Sequence, residues 1–135
     1  MNKIEHIGIA VKNLDEAIEN WETLLHTSCY KKESVASEKV DTAFFRTGES
    51  KVELLGATSP DSVIATFIEK RGEGLHHVAF EVDDIRAEMK RLSEAGYRLL
   101  QEEPKRGADN KLVAFLHPKN ANGVLMELCQ SIGDK

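Results

Sequence analysis

Between residues 3 and 11 the chain alternates. Ile7, Ile9 and Val11 fall on one side, and His6, Gly8 and Ala10 on the other, which is the period of a strand. The bulky side suits packing under a helix, and the small side, apart from its imidazole, suits the floor of a cleft. Asn13 followed by Glu16 resembles a capping box. The helix it would open carries Leu14, Ala17, Ile18, Trp21, Leu24 and Leu25 as a single apolar stripe. Strand-like stretches follow at 28–33, 40–47 and 51–55, with Gly48-Glu49-Ser50 as the turn between the last two. The first half therefore reads β-α-β-β-β.

Ser59-Pro60-Asp61 predicts a second helix with Pro60 at its first position, an apolar face of Val63, Ile64, Phe67 and Ile68, and a stop at Gly72. It links the two halves, since no flexible linker flanks it. Beyond it the pattern returns. A strand is expected at 75–82, a helix from about Asp84 with Ile85, Met89 and Leu92 inward and its end near Gly96, then strands at 97–101, 112–117 and 124–129. The stretch from Glu103 to Asn110 reads as a polar, basic loop. The expected organisation is one domain over 1–135: a first module over about 1–58, a linking helix over about 59–72 and a second module over about 73–131.

The repeat extends to chemistry. His6-Ile7-Gly8-Ile9-Ala10-Val11 lays onto His77-Val78-Ala79-Phe80-Glu81-Val82 without a gap, and Val52-Glu53-Leu54-Leu55 onto Met126-Glu127-Leu128-Cys129. The offset from His6 to His77 is 71 residues and from Glu53 to Glu127 it is 74, as two copies with a small loop difference require. A carboxylate among Val and Leu is costly to bury unless it is paired or bound to a cation. Two of them at equivalent positions, with two imidazoles, point to a divalent metal site of His6, Glu53, His77 and Glu127. This mixed nitrogen and oxygen set suits Co²⁺, Ni²⁺, Zn²⁺ or Mn²⁺ alike. Taken singly, a strand histidine is commonly a hydrogen-bonded structural residue, and a strand glutamate commonly faces solvent; the matched repetition is what favours metal. His76 falls on the opposite face of its strand from His77 and reads as structural. His117, before Pro118, is either a ligand-facing polar group or a surface residue, and the former is favoured. Lys105 and Arg106 are either a solvated loop or contacts to a ligand phosphate.

Composition narrows the classes. Hydrophobic residues make up 41% and charged residues 30% of 135 residues, as in an ordinary globular domain. Apolar runs are only a few residues long and the N-terminus lacks a signal-peptide apolar core, so cytoplasmic residence is expected and membrane partners are not. The two cysteines, Cys29 and Cys129, are too few for a disulfide framework. A net charge of −5 argues against nucleic acid as a partner.

Tandem βαβββ modules with these ligands resemble the vicinal-oxygen-chelate superfamily, which includes glyoxalase I, ring-cleaving dioxygenases and methylmalonyl-CoA epimerases. The resemblance to the epimerases is the most detailed. It covers nearly the whole chain, through Thr42-Ala43-Phe44-Phe45, Gly72-Glu73-Gly74-Leu75-His76-His77, Glu103-Pro104-Lys105-Arg106-Gly107-Ala108, Phe115-Leu116-His117-Pro118-Lys119 and Gly123-Val124-Leu125-Met126-Glu127-Leu128. It implies an α+β fold whose curved mixed sheet surrounds a metal cleft. It also implies a CoA thioester substrate, a homodimer, and interconversion of the (2R) and (2S) forms of methylmalonyl-CoA through a metal-stabilised enolate. His6, Glu53, His77 and Glu127 would be the ligands, with Glu127 and Glu53 as acid and base. Some relatives carry Gln at the position of Glu53. Thr42 stands where some carry a further Glu, and a threonine hydroxyl cannot serve as a base. The competing readings are a glyoxalase I-type lactoylglutathione lyase and a non-catalytic small-molecule binder of the same fold.

Overall fold

The computed structural model describes residues 1–133; Asp134 and Lys135 lie outside the described residues. In chain order the elements are β1 (Lys3–Val11), α1 (Leu14–Leu25), β2 (Lys31–Val35), β3 (Val40–Thr47), β4 (Ser50–Ala57), α2 (Val63–Arg71), β5 (Gly74–Glu81), α3 (Ile85–Glu94), β6 (Lys105–Gly107), β7 (Lys111–Leu116) and β8 (Met126–Ser131). This is an α+β chain with the βαβββ order twice. It divides into two compact units, one of His6–His76 and one of Met1–Glu5 with the chain from His77 onward. No helix among the described residues is long and apolar enough to cross a membrane.

In the His6–His76 unit, β1 runs parallel to β4, β4 antiparallel to β3, and β3 antiparallel to β2. The two faces of this mixed sheet divide the core. Val11, Ala43, Phe45, Val52 and Leu54 bury one face beneath Leu14, Ala17, Ile18, Trp21 and Leu25 of α1. Leu24, expected in that stripe, is 62% exposed, because it is rotated about 100° from Leu25 and away from the sheet. Asn13 caps α1 by accepting the Glu16 backbone N–H at 3.1 Å. A Cβ on Gly56 would lie 3.2 Å from the Leu14 Cβ, so glycine lets the start of α1 sit close on β4. The hairpin between β3 and β4 turns on Gly48 and Glu49, with Thr47 already paired to Ser50. Gly48 takes a φ of +63° there, which costs glycine little.

Two boundaries in this unit differ from the sequence expectation. The second strand starts at Lys31 rather than residue 28, because the Cys29 N–H is taken by the Glu22 carboxylate at 3.0 Å. Pairing to β3 becomes regular only from Lys31 opposite Phe44. The linking helix starts at Val63, and Pro60 precedes it. Ser59 and Asp61 instead form a turn in which the Ser62 N–H reaches the Ser59 carbonyl, and Ser62 becomes the cap by accepting the Ile64 N–H at 3.0 Å. Hydrogen bonds from Lys39, and secondarily Ser59, hold the Asp61 carboxyl at about 2. Within α2 the inward residues are Ile64, Phe67 and Ile68, packed with Ala10, Val40 and Leu55; Val63 is exposed. Ser62 is 1% exposed, so Ser62→Ala strands a helix N–H out of reach of water. It should cost about 1 kcal/mol, read as a lower midpoint in urea unfolding with an unchanged slope.

In the second unit β5 runs parallel to β8, β8 antiparallel to β7, and β7 antiparallel to β6. Val82, Ile85, Met89, Leu92, Ala114, Leu116 and Leu128 form its core beneath α3, which Asp84 caps through the Ala87 N–H. The expected strand at 97–101 does not form: Leu99 makes a single bridge to Leu116. The Gln101 side chain accepts the Phe115 N–H at 2.9 Å, and the Asn120 side chain accepts the Arg98 N–H, also at 2.9 Å. Two backbone bonds flank the bridge, from the Leu100 N–H to the Phe115 carbonyl and from the His117 N–H to the Arg98 carbonyl, both at 2.8 Å, and side chains take over beyond them. The third strand of the module is instead Lys105–Gly107, inside the stretch read as a loop. The last two strands begin one residue earlier and two later than expected, at Lys111 and Met126.

Candidate metal and proton-transfer site

The residues that carry the candidate chemistry lie on the strands, and the register explains their company. In the first unit His6 and Gly8 of β1 stand opposite Lys51 and Glu53 of β4, while Phe44 and Arg46 of β3 stand opposite Glu53 and Lys51. Cross-strand partners share a face, so these six residues line the face away from α1. His6 Nδ1 lies 3.2 Å from Glu53 Oε2, and both side chains are 6% exposed.

The second unit repeats this. Ala79 of β5 and Phe115 of β7 stand opposite Glu127 of β8, and His77 lies on the same face as Ala79. His77 Nε2 is 3.0 Å from Glu127 Oε1, with side chains 7% and 6% exposed. The His77 ring meets the Phe115 ring edge to face at 5.8 Å. Each glutamate therefore has a small residue on one neighbouring strand, Gly8 or Ala79, and a phenylalanine on the other.

The remaining candidates are not of this kind. His117 is half-buried and accepts the Lys119 N–H on its Nδ1 at 3.0 Å, capping a short helical turn. Lys105 and Arg106 are exposed on β6, with Arg106 donating to the Asn110 side chain at 3.3 Å. His76 packs against Phe67 of α2, ring centroids 4.9 Å apart, as a structural histidine would. Thr42 is 1% exposed and paired with Leu55, on the same face as Glu53. Three residues escaped the sequence reading. Phe44 and Phe115 are separated by 71 residues, the same offset as the histidines, and that periodicity was the available signal. Lys51, 5% exposed, carried only its place two residues before Glu53.

The donor chemistry fits a divalent cation. Each unit offers a buried imidazole nitrogen beside a buried carboxylate oxygen, a mixture that suits Co²⁺, Ni²⁺ and Zn²⁺. Two carboxylates withdrawn from water would gain most from a positive charge between hydrophobic neighbours.

A family model described as the glyoxalase/bleomycin resistance protein/dioxygenase superfamily matches residues 5–115. The chain belongs to this superfamily. Among its relatives, the uncharacterized protein YqjC of Bacillus subtilis is 39% identical over 100% of this chain and 96% of its own length. The mitochondrial methylmalonyl-CoA epimerase of Homo sapiens is 37% identical over 97% of this chain and 75% of its own. The crystal structure of methylmalonyl-CoA epimerase from Mycobacterium tuberculosis superimposes with a TM-score of 0.92 at 35% identity, covering 96% of this chain and 88% of that one. Within the superfamily, the likeness is thus to proteins that act as epimerases of a CoA thioester.

Proposed function

We propose that this chain is a methylmalonyl-CoA epimerase, inverting C2 by removing its proton and returning one to the opposite face. The observation that carries the reading is the duplicated pair, His6 with Glu53 and His77 with Glu127, each buried and each set in the same strand register. The epimerase relatives named above support the choice of substrate.

In this reading His6, Glu53, His77 and Glu127 would hold a divalent cation, with Co²⁺ favoured. A cation held there would supply positive charge against the thioester oxygen as electron density builds on it. The chain's own residues do the rest. Glu127 takes the C2 proton: it is a carboxylate with Phe115 and Ala79 in register on either side, so few waters compete for its lone pairs. As the C–H bond breaks, its electron pair moves into the C2–C1 bond and the thioester carbonyl becomes an enolate. The proton that restores C2 comes from Glu53 or from a water that it orients, since the Thr42 hydroxyl is too weak an acid to supply it. His77 keeps the Glu127 carboxylate aimed by its 3.0 Å contact, and His6 does the same for Glu53. The same reading takes the working form to be a cytoplasmic homodimer.

The test is exchange with solvent. Incubated in D₂O with one epimer of methylmalonyl-CoA, the protein should put deuterium at C2 as the epimer ratio moves toward unity, and a chelator should stop both. No exchange with metal supplied would sink the proposal; turnover of methylglyoxal with glutathione would replace it with a lactoylglutathione lyase.

A further inference from the structure

Among the described residues, one ring nitrogen of His117 has a partner and the other has none. Pro118 holds the residue before it in extended backbone, and His117 takes φ −63° and ψ 131°. Its Nδ1 accepts the Lys119 N–H at 3.0 Å. A nitrogen that accepts carries no proton, which leaves the hydrogen on Nε2. The cap therefore fixes the tautomer, and a half-buried residue presents a donor with no acceptor of the protein's own.

Register places that donor. Met126 of β8 pairs with Val78 of β5 on one side and with Leu116 of β7 on the other. Leu116 and Met126 both turn toward the core beneath α3. The next residues outward, His77 and His117, therefore leave from the opposite face, the one that carries Glu127 and Phe115. They share a row across the sheet, with Cα atoms about 10 Å apart, two strand spacings. Leu125 lies between them, its carbonyl accepting the Val78 N–H at 3.1 Å. The equivalent row of the first unit is His6, Lys51 and Arg46, which is rich in charge. The row of His77, Leu125 and His117 holds neither lysine nor arginine, so it suits an uncharged acceptor. In the reading above, the thioester carbonyl lies beside His77 and Glu127. The next uncharged acceptor along a CoA thioester is the first amide carbonyl of the pantetheine arm, a two-carbon spacer beyond the sulfur. We propose that His117 donates its Nε2–H to that amide carbonyl and so holds the arm along the sheet of the second unit. The inference rests on the reading that this face binds a CoA thioester, and goes beyond it by naming the group that recognises the arm rather than the acyl head.

Two ligands isolate this contact. The methylmalonyl thioester of N-acetylcysteamine keeps that amide, and the methylmalonyl thioester of pentanethiol has the same chain length without it. Each is titrated into the full chain with Zn²⁺ supplied and followed by NMR. Two variants separate the donor from the cap. His117→Asn puts an oxygen where Nδ1 accepts the Lys119 N–H, and asparagine caps well, but it has nothing at the place of Nε2. His117→Gln carries its amide nitrogen at the reach of Nε2 and lacks the cap. His117→Asn should bind the N-acetylcysteamine thioester about 5-fold more weakly, the usual contribution of one uncharged hydrogen bond. Its affinity for the pentyl thioester should change by no more than about 2-fold, as for an ordinary surface substitution. His117→Gln should recover most of the lost affinity and melt at a lower temperature than the wild type. Equal changes for the two thioesters, no change for either in His117→Asn, or a loss confined to His117→Gln would overturn the assignment and leave His117 a cap. Binding of neither thioester by the wild type overturns it too. The reaction is scored separately by C2 exchange. Selectivity that depends on His117, in a chain that leaves the C2 proton in place, refutes the epimerase reading and keeps His117. Exchange at C2 without that selectivity keeps the reaction and discards His117.

Discussion

Glu127→Gln should leave a folded chain that exchanges the C2 proton of methylmalonyl-CoA about 10²–10⁴-fold more slowly, the usual contribution of a positioned acid–base group. The amide keeps the shape and an oxygen acceptor 3.0 Å from His77 Nε2, so packing and the histidine contact survive, but it cannot accept a proton at neutral pH. Deuterium incorporation followed by NMR at saturating substrate reports the proton step directly, and circular dichroism reports the fold. Glu53→Gln should lose less, because the family resemblance implies that some relatives carry glutamine there. Equal losses in the two variants would mean that the halves share the proton work; an unchanged rate in Glu127→Gln would remove Glu127 from it.

The second large effect is on stability. Phe45 is fully buried against α1 with Val11, Ala43, Val52 and Leu54. Phe45→Ala should cost about 3–5 kcal/mol through lost transfer energy and the cavity left behind. A domain of this size has a total stability of about 5–15 kcal/mol, so the variant should melt about 10–15 °C lower and unfold partly in dilute urea. Phe44 is the neighbouring residue in sequence but lies on the other face, beside Glu53. The pair separates the two jobs of β3: Phe45 holds the helix down, and Phe44 shapes the site. A melting temperature unchanged in Phe45→Ala would mean that α1 contributes little to the cooperative unit.

Elements with a clean local period were legible in the sequence. β1 and β3 occupy the spans that alternation predicts, Lys3–Val11 and Val40–Thr47, because each has one face under α1 and the other on the site. α3 likewise begins at Ile85 behind the Asp84 cap. The misplaced third strand of the second module has a different cause. Tyr97, Leu99 and Leu100 looked like a strand because they are apolar, yet the ladder to β7 is made by Lys105, Arg106 and Gly107. As the outermost strand it buries little, so its residues carry no apolar pattern. Both segments meet β7, Leu99 at Leu116 and β6 at Lys111, Leu112 and Val113; the first stays a single bridge because the Gln101 side chain, not its backbone, takes the Phe115 N–H.

The same division runs through the candidate site. Duplication is a property of the string, so His6 and His77, and Glu53 and Glu127, could be matched before any coordinates. What the string could not supply was register. Sliding a strand by one residue would turn every side chain to the other face, and only the folded sheet sets His6 Nδ1 at 3.2 Å from Glu53 and His77 Nε2 at 3.0 Å from Glu127. Local period and internal repetition were enough to mark two βαβββ repeats and to match their histidines and carboxylates. That Phe44 and Phe115 flank the glutamates, and that Lys51 is buried near one of them, became visible only in the folded chain. Burial depends on what neighbouring strands and helices bring over a residue, and no local pattern in a single strand encodes that.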